Sequence, residues 1–231
     1  MNRVIKKSKL KTSKDIVVFV HGFGVRYDSR GMFTDLEENL PKDWGYVLFD
    51  LYEVSGNDVY VTQISDQIKK LNKVIDDVKD EFKSAKIHVI AHSKGCVVTA
   101  LAMPKVEGKI VLLAPPETFG KNLQDYFEKY PGAKKTNDCL IIPRKDGTIT
   151  HISDKYFQES MQIQPDEEIL KLSNQRKVII FQTTEDEVIG LTSYSKLQGN
   201  SNIKIIPIKS DHNFTGDNRR RLINQLKELL K

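Results

Sequence analysis

Cysteine is scarce in this chain of 231 residues, which holds only Cys96 and Cys139. Two thiols are too few for a disulfide framework, and neither has partners at metal-ligand spacing, so the sequence predicts free thiols and no metal or other cofactor. Long apolar runs are missing as well. No stretch approaches the ~18 residues of a membrane span, and the basic opening MNRVIKKSKLKTSK lacks the apolar centre of a signal peptide. A cytoplasmic protein with no membrane contact is expected. Charge of one sign is nowhere gathered into a block: 36 Lys and Arg are interspersed with 31 Asp and Glu for a formal +5, the pattern of a solvated surface rather than of a nucleic-acid partner. Repeats, low-complexity segments and linkers are absent, and 39% hydrophobic content suffices for one substantial core. Residues 1–231 are expected to form a single domain.

What is present is an alternation. DIVVFVHG (15–22), GYVLFDL (45–51), KIHVIAH (86–92), KIVLLAP (109–115), KVIIFQT (177–183) and IKIIPIK (203–209) are short β-branched runs that read as strands, the continuous ones buried on both faces. Between them Val61, Ile64, Ile68, Leu71, Ile75 and Val78 share one helical face, as do Leu222, Ile223, Leu226, Leu229 and Leu230. The pattern predicts an α/β fold: a mainly parallel sheet of six to seven strands with helices on both faces. About sixty residues separate the fourth and fifth runs, too many for a simple crossover. Residues 116–175 are therefore expected to be an inserted cap over one end of the sheet. It contains a hairpin turning at Asp146-Gly147, whose first strand Pro143 marks as an edge, and short helices at 123–130 and 153–160, the second capped by Ser153.

The polar triplet His92-Ser93-Lys94 lies between the strand KIHVI and the helical run CVVTALAM, with small residues at Ala91 and Gly95. A serine on so sharp a strand-to-helix turn takes a strained backbone conformation, and small neighbours two positions away avoid collision. Here the sequence resembles the α/β-hydrolase superfamily, with alanine in place of the first glycine of its G-x-S-x-G elbow. The resemblance runs from about residue 15 to the C-terminus and implies Ser93 as nucleophile. It also implies that His21-Gly22-Phe23-Gly24, directly after an early strand, is the oxyanion loop. The two backbone N–H donors would be those of Phe23 and Lys94, with His21 holding the loop. Fourteen residues before the first run leave little room for the family's early antiparallel strands, so a reduced sheet is expected.

Five histidines are available as base. His88 reads as a sheet residue, His92 as a bystander pointing away from Ser93, and His151 falls in the cap hairpin. His212, between the last strand and the last helix, stands where the resembling enzymes carry their catalytic histidine. The acid implied is Asp186 in TTEDEV, with Glu117 as rival and Glu185 and Glu187 as solvated loop charges. The order Ser93, Asp186, His212 is that of the superfamily, and within it the chain looks most like small carboxylesterases of the feruloyl-esterase-like type. The implied activity is cleavage of a small-molecule carboxylic ester through an acyl-enzyme. Thioester cleavage or acyl transfer by the same residues, and a non-catalytic binding protein, are the alternatives. Arg26 and the side chain of Lys94 are candidates for accepting an anionic substrate group, Lys94 equally for solvent. The cap aromatics Tyr126, Phe127, Tyr130, Tyr156 and Phe157 are either an acyl pocket or the cap's own core. Cys96, one turn into the helix, reads as packing.

Overall fold

Val, Ile, Leu and Phe fill consecutive positions of the central strands because both faces of the sheet are covered. A computed structural model describes residues 4–7, 13–120 and 123–230, the first four by backbone alone. The elements are β1 (Val4–Lys7), β2 (Asp15–Val20), α1 (Met32–Glu38), β3 (Gly45–Phe49), β4 (Glu53–Ser55), β5 (Asp58–Val61), α2 (Ile64–Glu81), β6 (Lys86–His92), α3 (Lys94–Ala102), β7 (Ile110–Leu113), α4 (Leu123–Glu128), β8 (Lys134–Lys135), β9 (Cys139–Pro143), β10 (Ile149–Ser153), α5 (Asp154–Ser160), α6 (Pro165–Ser173), β11 (Val178–Thr183), β12 (Ile203–Ile208) and α7 (Asp217–Leu230).

All six expected strands form one sheet in the order β1-β3-β2-β6-β7-β11-β12. Neighbours from β3 to β12 are parallel, while β1 adds an antiparallel edge against β3. Alternate side chains of each strand enter two cores. Ile16, Val18 and Val20 meet α2, α3 and α6 on one face, whereas Val17 and Phe19 meet α1 and α7 on the other. Each fully buried Leu, Ile, Val or Phe contributes about 1.5–3 kcal/mol, so the two cores together hold the fold. In α7 the buried residues are Leu222, Leu226 and Leu230, four apart and hence on one stripe. In α3 all residues but Leu101 are buried, since this helix lies in the centre of its face.

A second sheet was not expected. The order β4-β5-β10-β9-β8 joins a hairpin of the body to the hairpin of the insert. Val61, expected at the start of a helix, instead ends β5, and α2 begins at Ile64. Val59 and Val61 are buried while Tyr60 is exposed, a period of two rather than 3.6, and β5 finds partners on both sides. It pairs antiparallel with β4 and parallel with β10, from Asp58 beside Ile149 to Val61 beside Ile152. Pro143 does not mark an outermost strand, because β8 follows β9. The β8 ladder stops at Ile141, however, so Pro143 lies beyond it and its missing N–H breaks no bond there. The insert is fastened a second time through α5. The Glu159 carboxylate accepts from the N–H groups of Ile64 (2.6 Å) and Ser65 (3.3 Å) and from the Ser65 hydroxyl (2.9 Å), capping α2 from across the structure. Ser153 caps α5 through the Tyr156 N–H at 3.3 Å.

Candidate active site

Ser93 lies between β6 and α3 with φ 52° and ψ −126°, a conformation that L-residues rarely adopt. The turn is tight because α3 packs directly against β2. A Cβ on Gly95 would stand 2.4 Å from the Val20 carbonyl oxygen and 2.6 Å from that of His21, so only glycine fits. Ala91 stays within β6, paired with Val20 and Leu112 in ordinary extended geometry, where a methyl group is accommodated. The Ser93 N–H donates to Leu113 O at 2.8 Å, fixing the elbow to the neighbouring strand.

Ser93, His212 and Asp186 come together from three loops. The Ser93 hydroxyl and His212 Nε2 are 2.9 Å apart, and His212 Nδ1 lies 2.8 Å from Asp186 Oδ2. A carboxylate can only accept, so Nδ1 carries the proton and Nε2 is left with a lone pair facing the serine hydroxyl. Asp186 is held on both oxygens: Oδ1 accepts from the N–H groups of Val188 (3.0 Å) and Ile189 (2.9 Å), and Oδ2 also accepts from the Thr183 hydroxyl (2.6 Å). Burial pushes this carboxyl up, but the hydrogen bond and charge of His212, with the Ile189 N–H and Thr183, outweigh it and leave the group below the ordinary aspartate value. The rival Glu117 is occupied elsewhere: its carboxylate accepts from Ser193 N–H at 2.8 Å, from the Ser193 hydroxyl and from Tyr194 N–H.

His92 turns away from Ser93, as expected, but it is no bystander. Its Nε2 lies 2.9 Å from the His212 carbonyl oxygen and its Nδ1 3.3 Å from the Ser29 hydroxyl. The carbonyl only accepts, so Nε2 carries the proton and Nδ1 accepts from Ser29. His92 thus holds the backbone of the loop that carries His212. Burial, reinforced by the neighbouring His212, lowers His92 to a pKa of about 3, and burial with the nearby Lys94 charge lowers His21 to about 3. In the unfolded chain both return to 6.5. Between those values the unfolded state holds the extra protons, so stability falls as pH drops, by about 2 kcal/mol per histidine at pH 5. Denaturant midpoints at pH 7.5 and pH 5 check this: His92→Gln, which retains a donor toward His212 O, is expected to flatten the decline by its one share, and an unchanged slope would rule the assignment out. His88 is a sheet residue, bonded to Asp15 at 2.9 Å and to the Lys109 N–H at 3.0 Å. His151 pairs with Asp58 at 2.6 Å in the second sheet.

Phe23 and Lys94 flank Ser93, and the amides of neither enter a backbone hydrogen bond of the loops and turns. Gly24, at φ +61°, turns the loop beneath Arg144, whose guanidinium would lie 3.0 Å from a Cβ there. Ser93 opens on a cavity of about 350 Å³. Phe23, Phe119, Leu123, Tyr126 and Phe127 line it on the insert side, and Val188, Ile189 and Leu191 close it from the segment after Asp186. Phe23 stacks on Phe127 with centroids 4.7 Å apart. Tyr126, Val188 and Leu191 are 58%, 53% and 78% exposed and form an apolar rim. Of the expected substrate residues Tyr126 and Phe127 reach this cavity, whereas Arg26, Tyr130, Tyr156 and Phe157 do not line it. Tyr156 and Phe157, on α5, point into the core and are fully buried there. Arg26 is half-buried beside the Asp50 carboxylate. Nor does the Lys94 ammonium face a substrate, because it is buried against the Gln67 side-chain oxygen and lies 4.6 Å from the centre of the Tyr52 ring. Phe119 and Leu191 were not singled out from sequence, since no motif distinguishes a rim residue from any other loop hydrophobe. Among the described residues no group of three or more His, Cys, Asp or Glu could hold a metal, and no helix is long and apolar enough to cross a membrane.

The fold and this site can be set beside known proteins. The esterase Est1E from Butyrivibrio proteoclasticus, in its structure with ferulic acid bound, superposes with a TM-score of 0.71 at 16% identity over 97% of this chain and 92% of that one. The esterase Pf2001 from Pyrococcus furiosus gives 0.62 at 16% identity over 95% and 81%. At such identities the likeness is one of fold. A curated relative, the probable lysophospholipase BODYGUARD 2 of Arabidopsis thaliana, is 26% identical over 111 residues, 46% of this chain but only 24% of that protein. The chain thus matches about a quarter of that relative's length. Residues 15–145, which include the His21–Gly24 loop and the strand-to-helix turn at Ser93, match the family described as alpha/beta hydrolase fold. With more than half its length matched, the chain belongs to the alpha/beta hydrolase family.

Proposed function

We propose that this protein is a serine hydrolase of carboxylic esters with an apolar acyl group, working through an acyl-enzyme. The observation that carries the reading is the unbroken chain Asp186, His212, Ser93 at 2.8 and 2.9 Å, ending at the floor of an apolar cavity. His212 Nε2 takes the hydroxyl proton as Ser93 Oγ attacks the ester carbonyl, and Asp186 stabilises the imidazolium. The carbonyl oxygen becomes negative and is met by the N–H groups of Phe23 and Lys94. His212 then returns its proton to the departing alkoxide, and a water, activated by the same imidazole, releases the acid. Residues 116–175 act as a cap that walls the acyl site.

Cavities of a few hundred Å³ suit small ligands, and aromatic walls suit flat or branched acyl groups. That Est1E has been solved with ferulic acid bound supports an aromatic acyl group. The position of Lys94 and the engagement of the Glu117 carboxylate leave the walls without a free charge, so a carboxylate on the acyl chain is disfavoured. A panel of p-nitrophenyl acetate, butyrate, octanoate, hydroxycinnamate and hemisuccinate esters tests this. Apolar members are expected to exceed the hemisuccinate in kcat/KM by about tenfold or more, with Ser93 labelled stoichiometrically by a fluorophosphonate. Absence of both turnover and labelling would falsify the reading.

A further inference from the structure

The oxyanion loop is backed by side chains that the reaction does not touch. Tyr52, just after β3, is fully buried and its hydroxyl donates to the Gly22 carbonyl at 3.0 Å. His21 adds a second donor to the same carbonyl: its Nε2 accepts from the Leu51 N–H at 2.8 Å, so Nδ1 carries the proton and points it at Gly22 O at 3.0 Å. Gly22 C=O and Phe23 N–H belong to one peptide unit. Donors on its oxygen draw electron density toward that end and make its N–H a stronger donor.

The Tyr52 ring is held in turn. Its edge meets His21 with centroids 4.9 Å apart, and the Lys94 Nζ stands 4.6 Å over its face. Lys94 donates to Gln67 Oε1, and the Gln67 amide donates to Thr62 O at 2.6 Å, anchoring the group between β5 and α2. Burial lowers the Lys94 ammonium well below the ordinary lysine value, and no carboxylate offsets it.

We propose that Tyr52 is a positioning residue of the oxyanion site, which orients and polarises the Gly22–Phe23 peptide through its hydroxyl, with the Lys94 side chain locking its ring from behind. The proposal rests on the serine-hydrolase reading and is tested so that the two fail separately. Tyr52→Phe removes the hydroxyl alone. Rates are expressed per site titrated with fluorophosphonate, which discounts unfolded protein. The variant is expected to lose about tenfold in kcat with KM within twofold, and to bind a trifluoromethyl ketone that adds to Ser93 more weakly by the same factor, since one oxyanion donor is weakened rather than removed. Lys94→Met keeps its backbone N–H and is expected to show the same kind of loss, the double variant falling no further than Tyr52→Phe. A Tyr52→Phe enzyme with wild-type kcat and ketone affinity, or one altered in KM alone, overturns the role of Tyr52 while leaving the hydrolase standing. Losses that multiply in the double variant overturn the role of Lys94 through the ring. A wild-type chain that neither takes fluorophosphonate nor cleaves esters overturns the hydrolase reading and this inference with it.

Discussion

Replacing Ser93 with alanine is expected to lower turnover of p-nitrophenyl butyrate by about 10⁴- to 10⁶-fold while the protein remains folded. The hydroxyl makes one described hydrogen bond, to His212 Nε2 at 2.9 Å. The strain at φ 52° belongs to the backbone, and alanine meets it much as serine does. Stability should therefore stay within about 1 kcal/mol of the parent, as is usual where no cavity or unpaired charge is made. The cavity and the two oxyanion amides survive, so a small residual rate persists, with water in place of the serine as nucleophile. Steady-state kinetics with a thermal unfolding curve on the same sample make the measurement. A variant retaining a few per cent of the parental rate would place the nucleophile elsewhere.

Asp186→Asn carries the second large effect, a fall in kcat of about 10³- to 10⁴-fold. Oδ1 accepts two backbone N–H groups, from Val188 and Ile189, so an asparagine must keep its carbonyl oxygen there. Its NH2 then faces His212. An amide donor opposite Nδ1 turns that nitrogen into the acceptor and moves the imidazole proton to Nε2, where it confronts the Ser93 hydroxyl and can no longer take its proton. The shape of the site is unchanged, yet the base is switched off. The loss should appear in kcat far more than in KM, and imidazole ¹⁵N shifts should report the exchanged tautomer. An Asp186→Asn enzyme with parental kcat would mean that the carboxylate is dispensable and that His212 is oriented by its backbone contacts alone.

Much of this was legible in the chain, and the rest was not, for reasons that lie in particular residues. The six parallel strands could be read because their apolar runs are continuous, as burial on two faces requires. The elbow could be read because a sharp turn after Ser93 demands a glycine at Gly95, and a collision of 2.4 Å there bears this out. The second sheet was hidden. Val61 satisfies the spacing of the α2 stripe as well as that of a strand, and only a partner contributed by residues just over ninety positions away decides between them. The same non-locality misled the reading of polar side chains. Lys94 reads in sequence as facing an anionic substrate group or solvent and His92 as a bystander, but one is buried against Tyr52 and Gln67 and the other reaches the carbonyl of His212. Aromatic residues of the insert likewise divide, Phe127 on α4 reaching the cavity wall and Tyr156 and Phe157 on α5 the core.

The parallel pairing of β5 with β10 has a bearing on how an ester gets in. A lid that swings must part from the body along some line, and here that line is crossed by a four-residue ladder and by the Glu159 clasp on α2. Each bond broken would cost on the order of 1 kcal/mol, and the apolar faces beneath would be wetted besides. The ladder and the clasp hold β10 and α5 to the body, while Tyr126, Val188 and Leu191, which rim the cavity, lie outside both. On the esterase reading proposed above, an ester would enter between those three side chains without parting the hairpin from the body.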